Sequence, residues 1–285
     1  MTIEFRKIHG AANDFVVIDG RPVSEGGVGA LDWPALAIRA CDRRRGVGAD
    51  GLLVLEPPTD QGADFHMRYH NADGSEAEMC GNGVRCMARF ALEVGATDKR
   101  ELTWETGAGL VRTEVLDQGE TESTVRVNMG PPRLTPADVP VEGGGDMVRE
   151  QPFSIDGTSI ELTCVSMGNP HAVTYVDSVE SFPLERLGPL VEHHPAFPRR
   201  TNFEIVEVLA PDHLRMRVWE RGVGETMACG TGACAVAVAS HLVKGTADTV
   251  AVDLPGGRLT IHWAEGEDVL MTGPAETVFV GKLSV

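Results

Sequence analysis

The sequence predicts an α/β protein built as two similar halves, each wrapping β-strands around one central helix. Three observations carry this prediction. The chain repeats itself without a gap, each copy runs into an apolar, alanine-rich stretch of helical length, and a segment rich in proline and glycine separates the copies.

The repeat sets Met67-Arg-Tyr-His-Asn-Ala-Asp-Gly-Ser-Glu-Ala-Glu-Met-Cys80-Gly-Asn-Gly83 over Met216-Arg-Val-Trp-Glu-Arg-Gly-Val-Gly-Glu-Thr-Met-Ala-Cys229-Gly-Thr-Gly232. Met-Arg opens both copies and Cys-Gly-x-Gly closes both. Behind them run Val84 to Val94, stopped at Gly95, and Ala233 to Val243, stopped at Gly245; lengths and stops suit buried helices. Ahead of them Phe65, Met67 and Tyr69, and again Leu214, Met216 and Val218, alternate with polar neighbours as strands do. A weaker echo sets His9-Gly-Ala-Ala-Asn-Asp-Phe-Val-Val-Ile-Asp19 over Met167-Gly-Asn-Pro-His-Ala-Val-Thr-Tyr-Val-Asp177, with Gly10 over Gly168 and Asn13 over His171. Further strands are expected at Thr124 to Met129, Ile205 to Leu209 and Val250 to Leu254. Residues 129–146, with four prolines and four glycines, mark the boundary between the halves.

Composition narrows the function. At 285 residues, roughly three quarters of the unfolded surface can be buried, so neither a metal nor a disulfide staple is needed. A net charge of −17 argues against nucleic-acid binding, which needs a basic face. Lys7, Lys99, Lys244 and Lys282 are the only lysines, which leaves few candidates for a Schiff-base cofactor, and no phosphate-binding loop ending in Lys-Ser or Lys-Thr occurs. The N-terminus lacks a long apolar run and no segment has the length to span a bilayer, so a cytoplasmic protein with reduced thiols is expected. The six cysteines include no CxxC pair.

In each half a cysteine stands at the mouth of a buried helix, directly before Gly-x-Gly. Helix N–H groups and the macrodipole favour a thiolate there and are expected to lower the cysteine pKa from about 8.5 toward neutrality. The glycines leave backbone N–H groups open to a ligand carboxylate. Two such mouths, brought together by the repeat, would hold one carboxylate and offer one thiol to each face of the adjacent carbon. One thiolate removes the proton while the other thiol delivers one, which inverts the centre. A lone free cysteine is more often a small buried filler; two at equivalent repeat positions are not. Cys86 and Cys234 lie inside the helices and read as filler, and Cys41 and Cys164 belong to no motif. Arg43-Arg44-Arg45 reads as a solvated turn and His193-His194 as surface.

The segments His9-Gly-Ala-Ala-Asn-Asp-Phe15, Arg45-Gly-Val-Gly-Ala-Asp50, Asn71 to Cys86, Gly168-Asn-Pro-His-Ala172, Thr201-Asn-Phe203 and Glu220 to Ala233 together resemble diaminopimelate epimerase, in the family's order and from residue 3 onward. The resemblance implies two pseudo-symmetric halves, each a strongly curved, mostly antiparallel sheet around a central helix, spanning 1–128 plus 275–285 and 129–274. It implies interconversion of LL- and meso-2,6-diaminopimelate, on the route to lysine and peptidoglycan, with no cofactor and no metal. Cys80 and Cys229 match the catalytic cysteines, and His171 and Glu220 resemble the residues that adjust their pKa values. Gly81, Asn82, Gly230 and Thr231 match the cradle for the reacting end of the substrate. Asn13, Asn71, Asn169 and Asn202 match its asparagine contacts, and Glu220 with Arg221 matches the pair at the distal end. The implied partner is the small-molecule substrate, with neither nucleic acid nor membrane, and a homodimer is expected as the commonest assembly.

Two positions depart from the family. Ala12 stands where Gly is common, so the turn before Asn13 is expected to avoid a strained φ. Gly51 stands where some members carry a substrate-facing Gln. A proline racemase shares the architecture and both thiols, but typically has His where this chain has Asn82, and the Glu220-Arg221 pair expects a substrate with a second charged end. Phenazine-biosynthesis isomerases share the fold without the cysteines. A non-catalytic amino-acid-binding or redox-sensing protein would instead join Cys80 and Cys229 in a regulatory disulfide.

Overall fold

The computed structural model, which describes residues 2–21, 31–143 and 145–284, divides into two units. Unit 1 is Met1–Asn128 with Thr272–Val285, and unit 2 is Met129–Met271. Of the boundary segment 129–146, Gly144 lies outside the described residues.

Unit 1 holds β1 (Thr2–Gly10), β2 (Asn13–Asp19), α1 (Trp33–Cys41), β3 (Gly51–Glu56), β4 (Phe65–Asn71), α2 (Gly81–Glu93), β5 (Glu101–Thr106), β6 (Gly109–Gln118) and β7 (Glu122–Asn128). Most of the last strand, β16 (Leu270–Ser284), belongs here too. The strands follow in the order β1 to β7 and then β16, and β16 pairs back onto β1, so the sheet closes on itself. The pairs β1/β2, β3/β4, β5/β6, β6/β7 and β1/β16 are antiparallel, and β2/β3 and β4/β5 are parallel.

Helix α2 packs against β1, β2, β3, β6 and β7, and every residue from Gly81 to Ala91 is buried. Total burial explains its small residues, and it also takes in Arg85 and Arg89, which the sequence pattern does not single out. Arg85 Nε donates to the Pro274 carbonyl at 3.1 Å, and Arg89 donates to Thr277 Oγ1, Ser123 Oγ and the Glu120 carbonyl. These charge-assisted bonds compensate buried guanidinium groups and tie β16 to the helix.

Unit 2 holds β8 (Gln151–Ile155), β9 (Thr158–Ser166), β10 (Pro170–Tyr175), α3 (Leu184–Glu192), β11 (Asn202–Ala210), β12 (His213–Glu220), β13 (Gly224–Thr226), α4 (Gly230–Lys244), β14 (Thr249–Leu254) and β15 (Gly257–His262). The strand order is β15-β14-β12-β11-β10-β9-β8, with β13 beside β12. Helix α4 packs against β9, β10, β11, β14 and β15. It ends on Gly245 at φ +66°, a left-handed cap that glycine adopts without a Cβ clash. Both repeat-borne helices and the expected strands are present, and each unit is a mostly antiparallel sheet around one buried helix. Among the described residues no helix is long and apolar enough to cross a membrane.

Strand register corrects the weaker echo. The gapless repeat sets Tyr69 over Val218, whose sheet partners are Leu53 and Glu204. Those residues pair in parallel with Val17 and Val173. Asn13 therefore falls over Asn169, and Phe15 over His171. The sequence-based pairing of Asn13 with His171 is off by two residues. A shift of two keeps every side chain on its own face of the strand, so apolar patterning cannot detect it.

The expectation for Ala12 is also corrected. Ala11 and Ala12 form the tight β1–β2 turn at φ +53° and +64°, and Gly168 turns at +97° in the matching place. A two-residue hairpin turn of this hand needs positive φ at both positions, so the alanines carry the strain instead of avoiding it.

Candidate active site

Cys80 caps the N-terminus of α2 and Cys229 that of α4, each with extended backbone. In both, the sulfur accepts the backbone N–H three residues on, from Gly83 and from Gly232 at 3.4 Å. A cysteine thus takes the place of the usual Ser or Asp cap and satisfies one of the orphan donors of the first turn. The glycines are there for room. A Cβ on Gly232 would lie 3.3 Å from Cys229 Sγ and 3.0 Å from Glu204 Oε1; one on Gly83 would lie 3.4 Å from Cys80 Cβ and from Leu53.

In unit 1 the sulfur is aligned by Asn13, at the start of β2. Cys80 Sγ lies 3.5 Å from Asn13 Oδ1, which also accepts from Asn82 Nδ2 at 3.3 Å. Asn13 Nδ2 donates to Asp50 Oδ2 at 2.7 Å, which decides which way the amide points. Asp50 and Asp14 share Arg43, and Lys7 bonds Asp14 and the Gly48 carbonyl. Burial alone would raise the Asp14 carboxyl, but bonds from Arg43 and Lys7 and their charges hold it well below the usual range. Arg43 is therefore no mere turn residue: it braces the group that orients Asn13.

In unit 2 the sulfur ends a longer polar chain. Cys229 Sγ is 3.5 Å from Thr231 Oγ1, Asn169 Nδ2 donates to Thr231 Oγ1 at 3.2 Å, and Asn169 Oδ1 is 3.0 Å from His171 Nε2. His171 Nδ1 is 2.6 Å from Glu204 Oε1, and both side chains are 0% exposed.

The remaining predicted positions have local partners. Asn71 Nδ2 donates to Ser75 Oγ within a turn. Asn202 accepts from the Arg221 backbone N–H at 2.8 Å and donates to the Pro170 carbonyl at 2.9 Å, so it holds the Glu220–Arg221 loop against β10. Glu220 accepts from Thr226, and the exposed Arg221 guanidinium rests on the Arg199 carbonyl. Gly81, Asn82 and Gly230 are buried at the helix starts. At Gly51 a Cβ would meet the Tyr69 ring at 2.5 Å and the His70 carbonyl at 2.8 Å, which leaves no room for a larger side chain.

Electrostatics overturns one expectation. Burial first, then the Glu220 carboxylate, push the Cys229 thiol well up, against the lowering from Thr231 and the Gly232 N–H. The helix mouth does not lower the Cys229 thiol, because desolvation and the nearby Glu220 carboxylate outweigh one N–H bond and the dipole. Cys86, read as filler, is pushed up to about 12 by burial, as is Cys41. Sequence reasoning missed Asp50, Asp14 and Glu204. The available signal for Glu204 was a lone acid among Phe203, Ile205 and Val206 in an otherwise apolar run.

The comparisons with known proteins agree with one another. The profile of the family described as diaminopimelate epimerase matches residues 5–135 and 163–278. A diaminopimelate epimerase of Thioalkalivibrio sulfidiphilus is 49% identical over 292 residues, covering 100% of both chains. One of Pelotomaculum thermopropionicum is 48% identical over 280 residues, 98% of each chain. Among solved structures, a phenazine biosynthesis protein of the PhzF family from Bacillus anthracis superposes with a TM-score of 0.71 at 18% identity, covering 100% of both chains. A hydroxyproline epimerase from Agrobacterium vitis superposes with 0.68 at 17%, covering 99% of this chain and 91% of that one. At such identities these two structures establish the fold alone. The near-full-length identity and the profile match establish more: the chain belongs to the diaminopimelate epimerase family.

Proposed function

We infer that the chain epimerises 2,6-diaminopimelate, interconverting the LL and meso isomers, in the biosynthesis of lysine and of peptidoglycan precursors. The observation that carries the reading is the paired arrangement of Cys80 and Cys229. Each caps a buried helix at the same place in the repeat and is followed by two glycines that keep the backbone open.

In the reaction one sulfur, as thiolate, takes the α-proton and forms S–H. The opposite thiol gives its proton to the other face of the same carbon and becomes the thiolate, so one turnover exchanges their roles. The N–H groups of Gly81, Asn82, Gly230 and Thr231 stabilise the charge that builds on the adjacent carboxylate. Glu220 serves as one of the two groups that adjust the thiols, with His171. Asn13, Asn71, Asn169 and Asn202 line or shape the ammonium side of the site. Arg221, with its planar fork, suits the distal carboxylate, beside Glu220 for the distal ammonium. Two thiols suffice for the proton transfer, so no cofactor and no metal enters. A cytoplasmic homodimer completes the reading.

The test is incubation with LL-diaminopimelate in D2O without added cofactor. Deuterium at the inverted α-carbon and formation of the meso isomer are expected. Cys80→Ala and Cys229→Ala should each lower epimerisation by roughly a hundredfold or more. Undiminished activity in either variant would sink the two-thiol mechanism, and turnover of proline instead would select a racemase of that type.

A further inference from the structure

The chain of bonds behind Cys229 starts at a residue for which the reaction as stated has no use. Glu204 lies on β11 with both its carboxyl and the His171 ring fully buried, and among the described residues its Oε2 has no hydrogen-bond partner. Around it stand His171 from β10, Glu220 from β12, Cys164 from β9 and Cys229 at the mouth of α4.

The protons on this chain follow from its contacts. Asn169 uses its amide N–H toward Thr231, which leaves Oδ1 facing His171 Nε2; an acceptor there requires a proton on Nε2. Nδ1 then faces Glu204 Oε1. An ionised carboxylate with one bare, buried oxygen is costly, whereas a carboxylic acid donating from Oε1 to Nδ1 leaves only a neutral carbonyl oxygen. Burial raises the Glu204 carboxyl, partly offset by His171, in the same sense.

We propose that Glu204 is a positioning residue for the epimerisation: its buried carboxyl fixes the His171 ring with Nε2–H toward Asn169, and thereby turns the Asn169 amide toward Thr231 at the mouth of α4. The proposal rests on the epimerase reading above. Without Glu204 the ring can place its proton on Nδ1. Nε2 then presents a lone pair to Asn169 Oδ1, and the amide turns over. Its N–H groups would leave Thr231 and the adjoining sulfur. The matching residue in unit 1 is Leu53, so Glu204 is not a requirement of the fold at this place.

The experiment compares the unsubstituted protein with Glu204→Gln and Glu204→Leu. It measures epimerisation in both directions and the imidazole 15N spectrum, with the His171 signals identified by their loss in His171→Phe. Gln can donate an N–H to Nδ1 as the acid does. It should therefore keep the Nε2–H tautomer and kcat/KM within about threefold, whereas Leu should lose that tautomer and about tenfold or more in kcat/KM. Unchanged kcat/KM in Glu204→Leu, or a Gln variant that loses the tautomer, overturns the proposal. Should Glu204→Leu fail to fold, the tautomer of the Gln variant decides. Inactivity of the unsubstituted protein on diaminopimelate would overturn the epimerase reading instead, and the spectra would still judge the positioning geometry.

Discussion

Behind the two helix mouths the same backbone positions carry opposite chemistry. In unit 1 Phe15 on β2 and Leu53 on β3 are both fully buried and apolar, and Leu53 lies against Gly83. In unit 2 the matching places hold His171 and Glu204, equally buried and joined by a 2.6 Å bond beneath Gly232. The asparagines that match, Asn13 and Asn169, are accordingly oriented in different ways. Asn13 takes its direction from Asp50 in a partly exposed ionic cluster, and Asn169 from a buried imidazole. The duplication thus preserved the cap, the glycines and the helix, while the two sulfurs acquired unlike surroundings. Chemistry that needs one thiol charged and its partner neutral is served by that inequality.

The strongest way to break the comparison is to make the halves alike. Glu204→Leu alone leaves His171 buried with an unpartnered nitrogen and should cost about 1–3 kcal/mol of stability by urea denaturation. His171→Phe with Glu204→Leu reproduces the apolar pair of unit 1 and should recover most of that loss, because a buried polar pair replaced whole by apolar groups is often neutral or better. A double variant no more stable than the single one would show that the two sites are not structurally equivalent.

A second test addresses the ionic side. The Asp14 carboxyl lies below the usual range, so the unfolded chain binds its proton more tightly than the folded one. Its stabilisation is fully present above the unfolded pKa of about 3.9 and is lost as pH falls through the lower folded value. Asp14→Asn should therefore be less stable than the unsubstituted protein at pH 6, with the difference shrinking below about pH 4. A difference that stays constant down to pH 2 would remove the cluster from the account of how Asn13 is held.

The smallest effect sharpens the match between the two turns. Ala12 turns at φ +64° where Gly168 turns at +97°. Ala12→Gly relieves a left-handed alanine and should raise stability by about 1 kcal/mol, read as an increase in the urea midpoint without a change in slope. A loss of stability would mean that the entropy of the added glycine in the unfolded chain exceeds the strain relieved.

Much of this site was legible. Cys80, Cys229 and their Gly-x-Gly partners could be paired because a gapless repeat leaves no freedom in alignment, and the helices could be bounded by their apolar runs and glycine stops. Asn13 and Asn169 could be named by family resemblance, but not matched to each other. Glu204 gave only the weak signal of one acid in an apolar run, which is compatible with an exposed face; its place against α4 and His171 makes it buried. Arg85 and Arg89 escaped for the same reason, since a guanidinium in a helix is ordinarily solvated.

By itself, then, the sequence determined what is local or periodic: two halves, a capped helix in each, a cysteine at each cap, and the family to which they belong. The tertiary structure alone decided what depends on neighbours distant in the chain. Strand register matched Asn13 to Asn169 and set His171 and Glu204 where unit 1 has Phe15 and Leu53. Burial and the Glu220 carboxylate then raised the Cys229 thiol that the helix mouth was expected to lower, because the dielectric and the charges around a thiol come from residues remote in sequence.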